Sequence, residues 1–314
     1  MRIYKKGIDN PNFVNRVGEK HVMNDDNEVK IIEYFDATNC TIIYQDGTLL
    51  YKKSYSQICG KTLRKHNDRT GHKYINHQGY EVEVLESLSY HKSTIRFNDI
   101  YDTTLYNVSY GNVKKGTISN PYHPTLHDSG YIGVGKYTGK TLDENRHIFR
   151  KWQQVITRGC SKICKEKSPT YRDVTVCEEW KCLQNFGTWF ESNCKPHMKG
   201  FELDKDILVK GNKIYSPETC CFVPHEINTL FVKAEKSRGK YPIGVSGDKK
   251  RFRATINIKG TGHHIGTFDT PEEAFQAYKI EKEKYIKEIA DEWEPFIEPK
   301  VYKAMYNYQV EITD

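Results

Sequence analysis

The chain has no run approaching the roughly 18 uninterrupted apolar residues that a membrane-spanning helix needs, so no such span is expected. Its first residues, MRIYKKGIDNPNF, carry positive charge but no apolar stretch behind it. A cleaved secretory leader is therefore not expected either, and the cytoplasm is the expected compartment. An even cysteine count is also missing. Of nine cysteines, seven fall between Cys160 and Cys221. An odd number argues against a disulfide framework. The spacings Cys160 to Cys164, Cys177 to Cys182 and adjacent Cys220 and Cys221 contain no paired C-x-x-C, so zinc is not expected and small buried hydrophobes are. Acids are scarce in one place. From Lys236 to Lys259 eight Lys or Arg stand against Asp248 alone, within a chain of net charge +7. Such a cluster reads either as a phosphate-facing footprint or as a solvated basic surface.

What is present suits several small modules. In 314 residues, 37% are hydrophobic and 28% charged, which is polar for one large core. The first 128 residues contain an internal repeat: EVKIIEY at Glu28–Tyr34 matches EVEVLES at Glu81–Ser87, and CTIIYQD at Cys40–Asp46 matches STIRFND at Ser93–Asp99. Tyr51, Tyr55, Ile58 and Leu63 then answer Tyr106, Tyr110, Val113 and Ile118. Short β-branched and aromatic runs between Gly, Asn and Asp predict two small all-β barrels or meanders in tandem. Such modules can contact nucleic acid, act as spacers or dock proteins.

GYIGVGKYTGKT at Gly130–Thr141 is not a phosphate loop, because Gly135 precedes Gly139-Lys140-Thr141 by three intervening residues instead of four. Thr141 and Glu144 instead predict a capping box opening a helix with Ile148, Trp152 and Val155 on one face, stopped by Gly159. A second helix is predicted at about 178–190, with Trp180, Leu183 and Phe190 facing a core.

From Arg251 to Lys259 the chain alternates strictly. Phe252, Ala254, Ile256 and Ile258 point one way; Arg251, Arg253, Thr255, Asn257 and Lys259 point the other. The second set is a row of donors and acceptors with no acid in it, able to lie in a major groove with Arg on guanine and Asn on adenine. Asp269, Thr270 and Pro271 then predict a helix start, with Ala274, Ala277, Tyr278 and Tyr285 on its sheet-facing side.

The residues GVS at Gly244–Ser246, RFRATI at Arg251–Ile256 and IGTFDTPEEAFQAY at Ile265–Tyr278 resemble the Apetala-type DNA-binding domain of plant ethylene-response factors, copies of which occur in phage and mobile-element nucleases. The resemblance covers about 50 residues. It implies a three-stranded sheet that reads the major groove of double-stranded DNA, backed by one helix. Lys249, Lys250, Arg251, Arg253, Thr255, Asn257 and Lys259 are then the DNA-binding residues. The plant pattern has Arg after Gly-Val and Trp in the central strand, where this chain has Ser246 and Phe252, so the family's base preference does not carry over.

Residues 152–228 resemble a nuclease-like region found in phage proteins beside that domain. The matching residues are Trp152, Arg158-Gly159-Cys160, PTYRDVTVCEEW at Pro169–Trp180, Phe186, Trp189 and ELDKDILVKGNKIYSPETCCFVP at Glu202–Pro224. The region is similar to the HNH fold, a hairpin followed by a helix. That similarity implies a hairpin with strands at 203–209 and from 214 onward, turning at Lys210-Gly211-Asn212. It further implies a Mg²⁺ ion held by Asp204, Asp206 and Asn228, with Asp204, Asp206 and His225 as the catalytic set and Glu218 nearby. The departures are the missing histidine on the first strand, where Asp204 and Lys205 stand, and Thr219 where the family has Asn.

The expected architecture is therefore multidomain α+β. Its parts are β repeats at 1–70 and 71–128, a nuclease-like region at 129–232, the Apetala-type domain at 233–292 and a docking tail at 293–314. That tail places Val301, Met305, Tyr308 and Ile312 at helical spacing. The expected function is binding of double-stranded DNA by a phage homing-endonuclease-like protein in its bacterial host, with metal-dependent cleavage. The alternative is a non-catalytic DNA-binding regulator or accessory protein. No membrane and no small-molecule cofactor is expected.

Overall fold

The computed structural model describes residues 14–63, 69–89, 92–139, 144–231, 240–248, 250–312 and 314. The fold is mixed α+β with several small sheets, and it divides into two units, Met1–Asn120 and Pro121–Asp314. Among the described residues no helix is long and apolar enough to cross a membrane.

In the first unit one order of elements occurs twice. Strands β1 (Lys20–Val22), β2 (Glu28–Asp36), β3 (Asn39–Tyr44) and β4 (Leu49–Lys53) form an antiparallel meander followed by helix α1 (Tyr55–Cys59). Strands β5 (Lys73–Ile75), β6 (Glu81–Ser89), β7 (Lys92–Phe97) and β8 (Thr104–Val108) form a second, followed by α2 (Tyr110–Lys114). Matched sequence positions are matched core positions. Val29, Ile31, Ile42, Tyr44 and Ile58 fill one core, and Val82, Val84, Ile95, Phe97 and Val113 fill the other.

Neither repeat is purely β, because each ends on a short helix. Ser54 and Gln57 close a capping box that starts α1. The Arg16 guanidinium sits 4.0 Å from the Tyr55 ring centroid and that of Arg69 sits 4.1 Å from Tyr110. These two tyrosines are thus used inside their own repeats. The other matched pair, Tyr51 and Tyr106, is exposed.

The second unit opens on helices α3 (Arg146–Cys160) and α4 (Lys162–Lys167), then β9 (Thr175–Val176), α5 (Glu178–Lys181) and α6 (Leu183–Asn193). Ile148, Trp152, Val155 and Ile156 of α3 are buried, and the Trp152 indole donates to the Trp180 carbonyl at 2.9 Å. Thr141 lies outside the described residues, and Asn145 occupies the N-cap position of α3. The single helix expected at 178–190 is two, because the chain is extended at Cys182. There it exchanges two backbone hydrogen bonds with Tyr131, through Lys181 and Leu183.

Next come β10 (Glu202–Asp204), β11 (Ile214–Tyr215), β12 (Cys221–Val223) and α7 (His225–Leu230). The expected hairpin between 203–209 and 214 onward is not formed. β10 pairs antiparallel with β12, while β11 pairs parallel with β9. The small β10–β12 sheet is a wall between two cores. Leu203, Cys220 and Phe222 pack with Trp152 and Trp180, whereas Cys221 and Val223 pack with the elements that follow. Burial on both faces explains the unbroken apolar run Cys220–Val223. Burial also pushes the Cys220 thiol up to about 12, so it packs as a neutral apolar group.

The last part is the antiparallel sheet β13 (Val245–Gly247), β14 (Phe252–Ile258) and β15 (Thr261–Phe268), backed by α8 (Pro271–Trp293) and α9 (Pro299–Tyr306). Thr270 caps α8 by accepting from the Glu273 amide, with Pro271 in the first turn. Gly244 has φ +76, and a Cβ there would lie 2.1 Å from the Tyr278 ring, so strand entry requires glycine. α9 stops at Tyr306, which leaves Ile312 exposed instead of on the expected helical face.

Candidate functional site

On β14, Phe252, Ala254 and Ile256 are buried, and Arg253, Thr255 and Asn257 are exposed. Arg253 stands between Ser246 of β13 and Thr267 of β15; Thr255 faces His264. Among the described residues no hydrogen bond engages the side chains of Arg251, Arg253, Thr255 or Asn257. The nearest acid, Asp248, accepts from the amides of Lys250 and Arg251 at 3.0 and 3.3 Å, and those bonds hold it below the usual carboxylate range. Lys250 is exposed beside it, and Lys249 lies outside the described residues.

The last residue of the row has a partner within the protein. Lys259 sits in a turn with φ 48, and its ammonium is 3.3 Å from Glu292 on α8. Lys259 is thus paired with an acid, whereas Asp248 acts on Arg253 only through its charge, without a hydrogen bond.

A second polar group forms where α7 meets β10. Pro224 turns the chain from β12 directly into α7, which sets the first turn of that helix over Glu202. His225 Nδ1 lies 2.8 Å from Glu202 Oε1, and the Asn228 amide donates to Glu202 Oε2. The His225 hydrogen bond, followed by that of Asn228, holds the Glu202 carboxyl below its ordinary value against the effect of burial. An ionised carboxylate only accepts, so Nδ1 is the donor of this bond and Nε2 is the nitrogen that points away from Glu202. The His225 side chain is 76% exposed, which leaves that nitrogen accessible. Lys151 on α3 is partly desolvated, and burial together with Arg158 lowers its pKa; Glu202 is its counter-charge.

Asp204 and Asp206 are placed differently. Asp204 Oδ1 accepts from the amides of Asp206 and Ile207, both at 2.8 Å, and so ends β10 in a turn. Asp206 is 3.1 Å from the Lys205 ammonium. Among the described residues no hydrogen bond or ion pair joins either aspartate to His225 or Asn228. Glu218 is exposed, and Thr219 donates to the Ile214 carbonyl at 2.8 Å, which holds the loop before β12. The sequence reading missed Glu202, whose only signal was its two-residue spacing from Asp204 on a strand.

No family model, curated protein or solved structure matches the chain. The site therefore rests on its own geometry.

That geometry gives Asp204 a testable structural part. Burial, then the neighbouring Asp206, pushes its carboxyl up to about 6 from an ordinary value of 3.8. A group whose pKa is raised on folding favours the folded state while neutral, and this contribution is lost as pH rises from about 4 through about 6. Asp204→Asn keeps the acceptor and removes the charge. It should stabilise the protein at pH 8 by on the order of 1 kcal/mol and leave it unchanged at pH 3. Asp204→Ala leaves two amides unpaired and should cost about 1–3 kcal/mol at either pH. Denaturant melts at the two pH values check this; an Asn variant destabilised equally at both contradicts it.

Proposed function

We propose that the chain binds double-stranded DNA with sequence preference, as the phage homing-endonuclease-like proteins it resembles do, by laying the outer face of β14 in the major groove. The observation that supports this best is the exposed row Arg253, Thr255 and Asn257. It stands on the central strand of a three-stranded sheet, its side chains unspent on the protein. A major groove admits a β-ribbon, and Arg and Asn have the forked donor and acceptor sets that distinguish guanine and adenine there. Lys250 and Arg251 at the strand's start are placed to meet phosphates. The full chain should bind duplex with an affinity that falls steeply with salt, because each phosphate contact releases counterions. Fluorescence anisotropy with labelled duplex checks this, and a flat salt dependence contradicts it.

The nuclease-like reading is carried by the Glu202–His225 pair. The arrangement of two strands followed by a helix sets an exposed imidazole against a carboxylate on Nδ1, the orientation that a general base for water requires. Asp204 and Asp206 do not fit a Mg²⁺ site with His225, since one carboxylate is spent on amides and the other on Lys205. Both Glu202 oxygens are likewise engaged, by His225 and Asn228, so a Mg²⁺ ion there would have to displace one of those bonds; when bound it would stabilise charge on the leaving oxygen of a phosphodiester. His225 takes the proton from water, and Glu202 holds the ring in orientation. The second reading, a non-catalytic DNA-binding regulator, is favoured by the structural use of the two aspartates.

A further inference from the structure

The proposed function leaves one part of the second unit unused. Arg150, Gln153, Gln154, Thr157 and Arg158 on α3 line a groove together with Tyr171, open to solvent and about 690 Å³ in volume. No acid lines it. Arg158 is half-buried, with Nη1 3.4 Å from the Tyr215 hydroxyl and its guanidinium 5.4 Å from the Tyr171 ring centroid. Among the described residues neither Arg150 nor Arg158 has a carboxylate within ion-pair distance. A guanidinium partly removed from water beside neutral partners loses hydration without regaining a counter-charge, so it favours an incoming anion.

The sequence around it is as basic as the stretch that includes β14. From Arg146 to Arg172 there are eight Lys or Arg and one acid, Glu166. Seven of the eight stand on α3 and α4, spread along them by helical spacing. Gln153, Gln154 and Thr157 add neutral hydrogen-bonding groups, the types that accompany arginine on phosphate oxygens. An open groove of this kind admits a polymer. It does not enclose a small molecule as a cofactor pocket does. Lys151, one helical turn before Gln154 and Val155, extends the positive face of α3 toward Glu202 and His225.

We infer that this groove holds the phosphate backbone of duplex DNA as a sequence-independent clamp. The inference rests on the DNA-binding reading above and assigns to α3 the positioning part of that binding, while β14 reads bases. Arg150 and Arg158 neutralise the phosphates, and the glutamines and Thr157 donate to them.

The test uses the full chain with a duplex of random sequence and a duplex carrying a selected preferred site. Arg150→Gln combined with Arg158→Gln should weaken both duplexes by the same factor, about tenfold at moderate salt, and reduce the slope of log affinity against log salt by about two. Because Arg158 is half-buried, Gln154→Glu at an exposed position serves as the second variant and should weaken both duplexes equally without altering the melt. Unchanged affinity and slope in both variants, with wild-type binding intact, overturns the clamp and leaves the DNA reading standing. Loss confined to the preferred site also overturns it, since a clamp carries no base information. A wild-type chain without salt-dependent DNA affinity overturns both readings.

Discussion

Replacing His225 with alanine is expected to lower Mg²⁺-dependent strand breakage by about 10²–10⁴-fold, the range that a positioned general base contributes, with duplex affinity nearly unchanged. The expectation follows from position. His225 Nδ1 is held by Glu202 at 2.8 Å and the side chain is exposed, on a different element from the basic row of β14. Glu202→Gln should cost less than His225→Ala, because an amide oxygen still accepts from Nδ1 but no longer stabilises a charged ring. Asp204→Asn should leave cleavage intact, since asparagine preserves the turn. Single-turnover cleavage of plasmid and host DNA, with the ends mapped, measures all three. A His225→Ala chain that cuts at the wild-type rate contradicts the assignment. A wild-type chain that makes no breaks with Mg²⁺ establishes the non-catalytic reading.

Removing residues 294–314 should unfold most of the second unit. Ile297, Val301, Met305 and Val310 are all buried in the core that contains Phe252, Ala254, Tyr278 and Ile286. At about 1.5–3 kcal/mol for each buried side chain, their loss approaches the whole stability of a typical domain. Polar ties go with them: Lys279 donates to the Val310 carbonyl at 2.6 Å, and Lys210 reaches Asp314 at 2.7 Å. The same core holds Ile207, Cys221, Val223 and Ile227, so the fragment near 236–290 lacks side chains that α8 needs on both flanks. The domain expected at 233–292 therefore shares its core with residues on both sides, which argues that it will not fold alone. Limited proteolysis and thermal melting of the truncated chain test the point. A cooperative melt within a few degrees of the full chain contradicts it.

The sequence carried local features well and long-range pairing poorly. Period-two alternation gave the buried and exposed faces of β14, and Thr270-Pro271 gave the start of α8, because both signals depend only on neighbours in sequence. The paired core positions of the first unit were readable for the same reason, from one pattern written twice. The β10–β12 pairing was not. A turn-like Lys210-Gly211-Asn212 suggested a local hairpin, but β11 found its partner in β9, more than 30 residues upstream. With that pairing misread, Asp204 and Asp206 were placed beside His225 and Asn228, and Glu202 was passed over. The α3 groove was also missed, because its charges are spread over several helical turns and no short window shows them together. The tail's packing was anticipated from Val301 and Met305, but not that the core it joins includes Cys221 and Val223.

The central claim is that β14 reads bases in a major groove, and a double-mutant cycle between Arg253 and the DNA tests it most directly. A preferred site selected from random duplex would be resynthesised with 7-deazaguanine at each guanine in turn, which removes the major-groove N7 acceptor and leaves base pairing intact. Arg253→Ala should cost about 1–3 kcal/mol at that site and much less on random sequence. At one guanine, the 7-deaza substitution should weaken the wild-type chain by about tenfold and leave the Arg253→Ala chain unaffected. Equal weakening of both chains at every guanine, or equal loss by Arg253→Ala on all sequences, would make Arg253 a phosphate contact and contradict the reading.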